Sequence, residues 1–381
     1  MKLVQINLQP HFGGGEVFTA FLCRALSQLG VPTRLLQHPR ANFWDRLGLP
    51  ADTERIAVAD PTDLPHHVPK SGALWLLAHG PLPVALRADV PHRLRTAIAH
   101  MPLHGRNPAA FADHDLVYPV SGWVRDGLKA AGLPAWNEPL YGVADLGPRT
   151  GTADAYSILR NSRYDWDRRK GRDRLLGMAE PLAEMLRPHP VFERRPGLTL
   201  GIVSRLTPIK QFPLLFKHLA PVLARHPEVN LEIFGSGGYA SVRDFDRALG
   251  ALPAGQARFW GQQADVAAIY RQLDYLLSGL PEKEALGLNI IEAQACGTPV
   301  IAVNAPPFTE TVLHGETGFL YRDPRQDAGD DFGKLLDQLH AGRAKPRPEL
   351  APAHLARFGF DAFVERLRAV VADAEIQLSR E

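Results

Sequence analysis

The 381-residue chain has only two cysteines, Cys23 and Cys296, far apart in sequence. Two thiols so placed make neither a disulfide framework nor a cysteine zinc site, which fits a reducing cytoplasm. No apolar run is long enough to span a bilayer. The opening Met-Lys-Leu-Val-Gln-Ile-Asn-Leu is too short and too polar for a signal peptide. From these two absences the protein is expected on the cytoplasmic side of the membrane. A strong charge of one sign is also missing: 43 Lys and Arg against 41 Asp and Glu leave +2. That balance gives no basis for a nucleic-acid partner. Internal repeats and low-complexity segments are absent. What remains is 45% hydrophobic and 22% charged, a globular composition long enough for two domains, each with its own core. Residues 1–195 hold 24 cations and 19 acids, so the first half is mildly basic.

The most informative stretch is residues 284–302, EALGLNIIEAQACGTPVIA. Residues 286–295 are good helix formers with an apolar stripe at Leu288, Ile291 and Ala295. Gly297 and Pro299 stop the helix, and residues 300–302 read as a short buried strand. Glu284 precedes the helix and Glu292 lies eight residues later, roughly 12 Å along the axis. Between them the free amides near Leu286, Gly287 and Leu288 form an anion-binding helix end, with Gly287 removing a side chain from the approach. Carboxylate, helix N-terminus and carboxylate in line match a nucleotide-diphosphate sugar: sugar hydroxyls, pyrophosphate, ribose hydroxyls. The segment resembles the Glu-x7-Glu signature of the retaining, GT-B-fold glycosyltransferases of the family 4 kind. The resemblance implies that Glu284 contacts the donor sugar and Glu292 the ribose, with Leu288 and Asn289 at the donor. Glu282 competes with Glu284, but only Glu284 keeps the eight-residue offset.

Before this stretch the chain alternates short apolar runs with helices, as a parallel sheet requires. Residues 3–8 read as a strand, followed by Gly13, Gly14 and Gly15 and an amphipathic helix ending at Gly30. A glycine loop there brings amides to an anion at the sheet edge or is only a tight turn. In the resembling family the matching loop lies beside the donor phosphates. Runs at 33–36, 56–59, 74–78, 96–99 and 116–120 follow, two of them leading into His79 and His100. His100, in Ala-His-Met-Pro, is similar to the family's histidine loop facing the sugar. Asp113-His114-Asp115 is a DxD, read here as a loop because no nucleotide-binding pattern surrounds it.

The strand at 198–204 leads into Arg205-Leu206-Thr207-Pro208-Ile209-Lys210, resembling the family's Gly-Arg-Leu-x-Pro-x-Lys-Gly with Ser204 and Gln211 for the glycines. By that resemblance Arg205 and Lys210 neutralise the diphosphate and the growing leaving-group charge. Gly235 and Gly237 end the next strand, as the family's Gly-x-Gly does, and Phe259-Trp260-Gly261 fits the stretch flanking the base. Glu310, Gly315 and Gly318 match the family's usual close.

The resemblance implies an α/β GT-B fold, two doubly wound Rossmann-like domains facing across a cleft. Residues 1–195 are expected to form the acceptor-side domain, with an insert near 150–190, and 196–355 the nucleotide-sugar domain. The helix in 356–381 should pack back on the first. The implied reaction moves a sugar from a nucleotide-diphosphate donor (UDP, GDP or other) to a hydroxyl with retained anomeric configuration. The acceptor is a saccharide or lipid-linked, as in bacterial envelope glycan synthesis, with no metal and no cofactor. A GT-B epimerase or hydrolase and a non-catalytic partner subunit stay open as alternatives. Within the insert, residues 160–174 carry Arg160, Arg163, Arg168, Arg169, Lys170, Arg172 and Arg174 against three acids, with Tyr164 and Trp166 among them. Such a mixture suits the inner face of an anionic membrane or a solvated loop with internal ion pairs.

Overall fold

The computed structural model describes residues 1–87, 92–144, 158–166, 171–186 and 188–380. The chain divides into two units, Met1–Ala144 with Ala356–Glu381, and Asp145–Leu355. The boundary therefore falls at 144/145 rather than the expected 195/196, and the insert belongs to the second unit. Hydrogen bonds explain this: Arg160, Asn161 and Phe192 pair with Pro190, Trp260 and Ile158, all in the second unit.

The first unit holds a parallel sheet of β1 (Lys2–Asn7), β2 (Thr33–Gln37), β3 (Thr53–Ala57), β4 (Leu74–Ala78), β5 (Arg93–Ala99) and β6 (Leu116–Pro119). Their order is β3-β2-β1-β4-β5-β6. β4, Leu-Trp-Leu-Leu-Ala, is buried at every residue, as a strand covered on both faces must be. β3 starts three residues before the apolar run expected at 56–59, because this edge strand opens with Thr53, Glu54 and Arg55 and keeps them largely in water. The last helix, Phe360–Arg380, buries Phe363, Leu367, Val370 and Ala374. Phe363 meets Phe18 of the helix Gly14–Gln28 edge to face at 5.4 Å.

The second unit repeats the plan with β7 (Leu198–Val203), β8 (Val229–Phe234), β9 (Ala257–Gly261), β10 (Tyr275–Leu277), β11 (Val300–Val303) and β12 (Gly318–Tyr321). The order β12-β11-β10-β7-β8-β9 is the first unit's order with strands renumbered. In each sheet the winding reverses once, between β1 and β4 and between β7 and β10. Ligands of doubly wound sheets bind outside the carboxyl ends of the strands at that reversal.

Candidate functional site

Two loops meet at the second reversal. The loop leaving β7 carries Arg205 and Lys210, and the loop leaving β10 carries Glu284. Lys210 Nζ pairs with Glu284 Oε2, both side chains mostly but not fully buried. The approach depends on Gly279, where a Cβ would lie 2.5 Å from the Lys210 carbonyl oxygen. Arg205, five residues earlier in the same loop, is exposed. Gln211, standing where the family has glycine, takes the left-handed conformation at φ 55°, a backbone that favours glycine. Its buried Oε1 has no hydrogen-bond partner.

Next along the same edge is the helix Leu288–Ala295, capped by Gly287 at φ 81°. Asn289 Nδ2 donates to the Val203 carbonyl at the end of β7 (3.2 Å), fixing the helix start against the Arg205 loop. The amides of Leu288 and Asn289 belong to a first turn, which has no intrahelical partners to offer them. One turn on, Glu292 accepts from the Tyr270 hydroxyl at 2.9 Å. Burial lifts the Glu292 carboxyl above its ordinary range, while Tyr270 and then Lys210 pull it down. The competing Glu282 instead pairs with Arg325, which is also held by Asp323. Geometry thus separates the two acids: Glu284 turns to the β7 loop and Glu282 to the residues after β12.

Gly235 and Gly237 play a different part from the one expected. The Gly235 amide donates to Gly261 (2.8 Å) and the Gly237 amide to Arg163 (3.2 Å), so neither is free for a phosphate. A Cβ on them would lie 1.9 Å from the Ser204 oxygen and 2.1 Å from the Leu206 oxygen. They let β8's exit pack against the Arg205 loop. Trp260 is buried with its indole donating to Glu232 at 2.7 Å, so it does not face a base. Sequence reasoning missed the neighbour of this edge. Asn161 Nδ2 donates to Gln262 (2.9 Å), Gln263 Nε2 to Leu159 (2.8 Å), and the Asp165 amide to Gly237 (2.8 Å). No local pattern in 158–166 announces this pairing.

The first unit gathers different groups at its own reversal. Gly13, with extended backbone, caps the helix Gly14–Gln28, whose first turn includes Gly14 and Gly15. His79 follows β4 and His100 follows β5; their rings stack at 5.3 Å, with His79 Nδ1 3.1 Å from His100 Nε2. His79 Nε2 faces Gln5 Oε1 at 2.9 Å, and Thr19 Oγ1 lies 3.0 Å from His79 Nδ1. Thr19 accepts from Asn7 Nδ2 and donates to the Gly15 carbonyl. Because Gln5 Oε1 can only accept, His79 carries its proton on Nε2, and His100 donates from Nε2 into His79 Nδ1. Burial holds His100 down at about 4, and burial with the His100 charge holds His79 well below 6.5. Both rings are neutral near pH 7. His79, which the sequence marks only as the residue after a strand, is the ring partner of His100. The DxD is a structural loop: Asp115 binds Arg95, Asp113 faces Arg87, and His114 Nε2 accepts from the Leu82 amide.

Residues 192–346 match the model of the family described as glycosyl transferases group 1. A D-inositol 3-phosphate glycosyltransferase of Corynebacterium jeikeium is 32% identical over 181 residues, 44% of this chain and 42% of the relative. One of Rhodococcus jostii is 28% identical over 260 residues, 61% of this chain and 56% of the relative. The chain thus spans about half the length of the curated relatives it matches. Among solved structures, sucrose-phosphate synthase from Thermosynechococcus elongatus has a TM-score of 0.73 at 17% identity, covering 99% of both chains. Anabaena HepE in complex with UDP-glucose gives 0.65 at 16%, covering 98% of this chain and 100% of that one. The likeness of these neighbours shows a GT-B fold. Residues 192–346 thus match the glycosyl transferases group 1, within a chain whose fold is GT-B.

Proposed function

We propose that the protein is a retaining glycosyltransferase that uses a nucleotide-diphosphate sugar. The observation that carries this reading is the Lys210–Glu284 pair at the β7/β10 reversal, directly before a helix start whose first amides have no intrahelical partner, and followed by Glu292. The donor diphosphate takes over Lys210, with Arg205 beside it and the Leu288 and Asn289 amides completing the anion site. Glu284, released from Lys210, accepts from sugar hydroxyls, and Glu292 with Tyr270 takes the ribose. Neighbours solved with UDP and UDP-glucose support a donor of this class.

In the transfer, the bond from the sugar's anomeric carbon to the diphosphate oxygen breaks, its electron pair staying on the phosphate. The acceptor oxygen bonds to the same face of that carbon and its proton passes to the departing phosphate oxygen. Lys210 and Arg205 stabilise the charge as it grows, and positioning supplies the rest. His100, neutral with Nδ1 unprotonated, is a hydrogen-bond acceptor for a sugar hydroxyl. No metal takes part in this scheme, and the acceptor is a saccharide or lipid-linked hydroxyl of envelope glycan synthesis on the cytoplasmic side.

The test is a thermal-shift screen of UDP-, GDP-, ADP- and dTDP-sugars, since binding to the folded state raises the midpoint. It is followed by product NMR with the donor that binds, with and without EDTA. An axial donor giving an axial product, unchanged by EDTA, supports the proposal; an inverted product overturns retention, and turnover of the sugar without acceptor favours an epimerase or hydrolase.

A further inference from the structure

The helix Gly171–Met185 has two unlike faces. One holds it to the second unit. Gly177 lets Trp166 lie against the backbone, where a Cβ would meet the Trp166 side chain at 3.1 Å. Glu180 accepts from Trp166 Nε1 and Ser162 Oγ, and Asp173 is 4% exposed. Residues 173, 177 and 180 share a face by helical periodicity. Trp166 and Tyr164 in turn stack on Tyr239, with ring centroids 6.1 and 5.7 Å away. These two aromatics, which by sequence suit a membrane interface or a solvated loop, are spent on holding the helix.

The other face points away. Leu175 is 64% exposed, Met178 61% and Met185 81%, and Leu186, just past the helix, is 88% exposed. Spacings of three, seven and one residue put these four on a single stripe. Leu176, in the same helix beside the stripe, is 42% exposed, while others among the described residues, such as Val84 and Leu350, are scattered, which is ordinary for a protein surface. Arg174 in this helix is exposed, and the sequence that leads into it is cationic, with Arg168, Arg169, Lys170 and Arg172. The one acid among these residues, Asp173, is buried.

We infer that this helix is an interfacial anchor for an anionic lipid surface. Leu175, Met178, Met185 and Leu186 enter the boundary between headgroups and acyl chains, and the flanking arginines meet lipid phosphates. An apolar stripe in a cationic stretch of sequence fits a sheet of like-charged headgroups with hydrocarbon behind it. The inference rests on this surface, not on the proposed glycosyl transfer. If both hold, a lipid-linked acceptor is delivered to an enzyme already at the bilayer.

The experiment is co-sedimentation of the full chain with vesicles of phosphatidylcholine alone, or mixed with phosphatidylglycerol, at low and high salt. Three proteins are compared: wild type, Leu175→Ser/Met178→Ser/Met185→Ser, and Arg172→Ser/Arg174→Ser. Circular dichroism and thermal midpoints check that each is folded. Wild type is expected to bind the anionic vesicles, the apolar-face variant to bind roughly tenfold or more weakly at low salt, and the arginine variant to lose part of the salt dependence. Equal sedimentation of wild type and the apolar-face variant, or no binding by wild type, overturns the inference. So does a wild-type dimer that the apolar-face variant breaks while vesicles capture neither protein. Should the triple variant misfold, Met185→Cys in a Cys296→Ser background, labelled with an environment-sensitive fluorophore, reads the contact directly. A blue shift on anionic vesicles supports insertion, and unchanged emission refutes it.

Discussion

At the carboxyl ends of β1, β4 and β5 the first unit gathers neutral groups: Asn7, Thr19, His79 and His100, with Gln5 behind them. At the carboxyl ends of β7 and β10 the second unit gathers Arg205, Lys210 and Glu284. The strand order is the same in both, so the frame does not choose the chemistry; the loops do. A charged, partly exposed cluster suits a ligand that brings two phosphates. A desolvated neutral network suits hydroxyl groups, because it offers directional hydrogen bonds and no net field.

Breaking the charged side should have the largest effect. Lys210→Ala removes the cation proposed to face charge that grows in the transition state and leaves Glu284 without this partner. A kcat loss of roughly 100-fold or more is expected, with a smaller change in KM. Steady-state kinetics showing near-wild-type kcat would remove Lys210 from the site.

The neutral side should show itself through pH. His100 is held at about 4 when folded, against 6.5 ordinarily. Between those values the unfolded chain takes up a proton that the folded chain does not. Stability therefore falls as pH drops from about 6.5 toward 4, by roughly 2–3 kcal/mol for this one group. Urea unfolding at pH 7 and pH 4.5 should show the loss, and His100→Gln should flatten it. An unchanged slope in that variant would mean the ring is solvated.

A finer contrast lies within the second unit. Glu292→Gln should weaken binding of free nucleoside diphosphate roughly tenfold, the worth of one charge-assisted hydrogen bond. Glu282→Gln breaks only the pair with Arg325, and should leave kcat within about threefold and cost under about 1 kcal/mol. Calorimetry and kinetics on the two variants settle which acid matters. Equal loss of nucleotide binding in the two variants would erase the distinction that geometry draws between Glu292 and Glu282.

The β7 loop, the β10 loop and the helix Leu288–Ala295 were legible because each is a contiguous stretch whose residue types and spacing carry the physics. A helix stop at Gly297, a cation pair in one six-residue loop and two carboxylates eight apart need no tertiary information. The amphipathic last helix was legible for the same reason, its apolar residues recurring at helical period. Three things were decided only by folding. The His79–His100 network joins residues from β1, the first helix and the exits of β4 and β5, up to 95 positions apart in sequence, and no local pattern encodes a contact set by sheet order. Gly235 and Gly237 match the family's Gly-x-Gly, but that their amides pair with neighbouring backbone was set by the fold. The orientation of the helix Gly171–Met185 followed from Trp166 and Glu180. Composition counted its leucines and methionines among potential core residues; the packing of one face turned the opposite one outward. Short-range sequence fixes which groups a loop can offer, and the tertiary fold fixes which of them remain unspent.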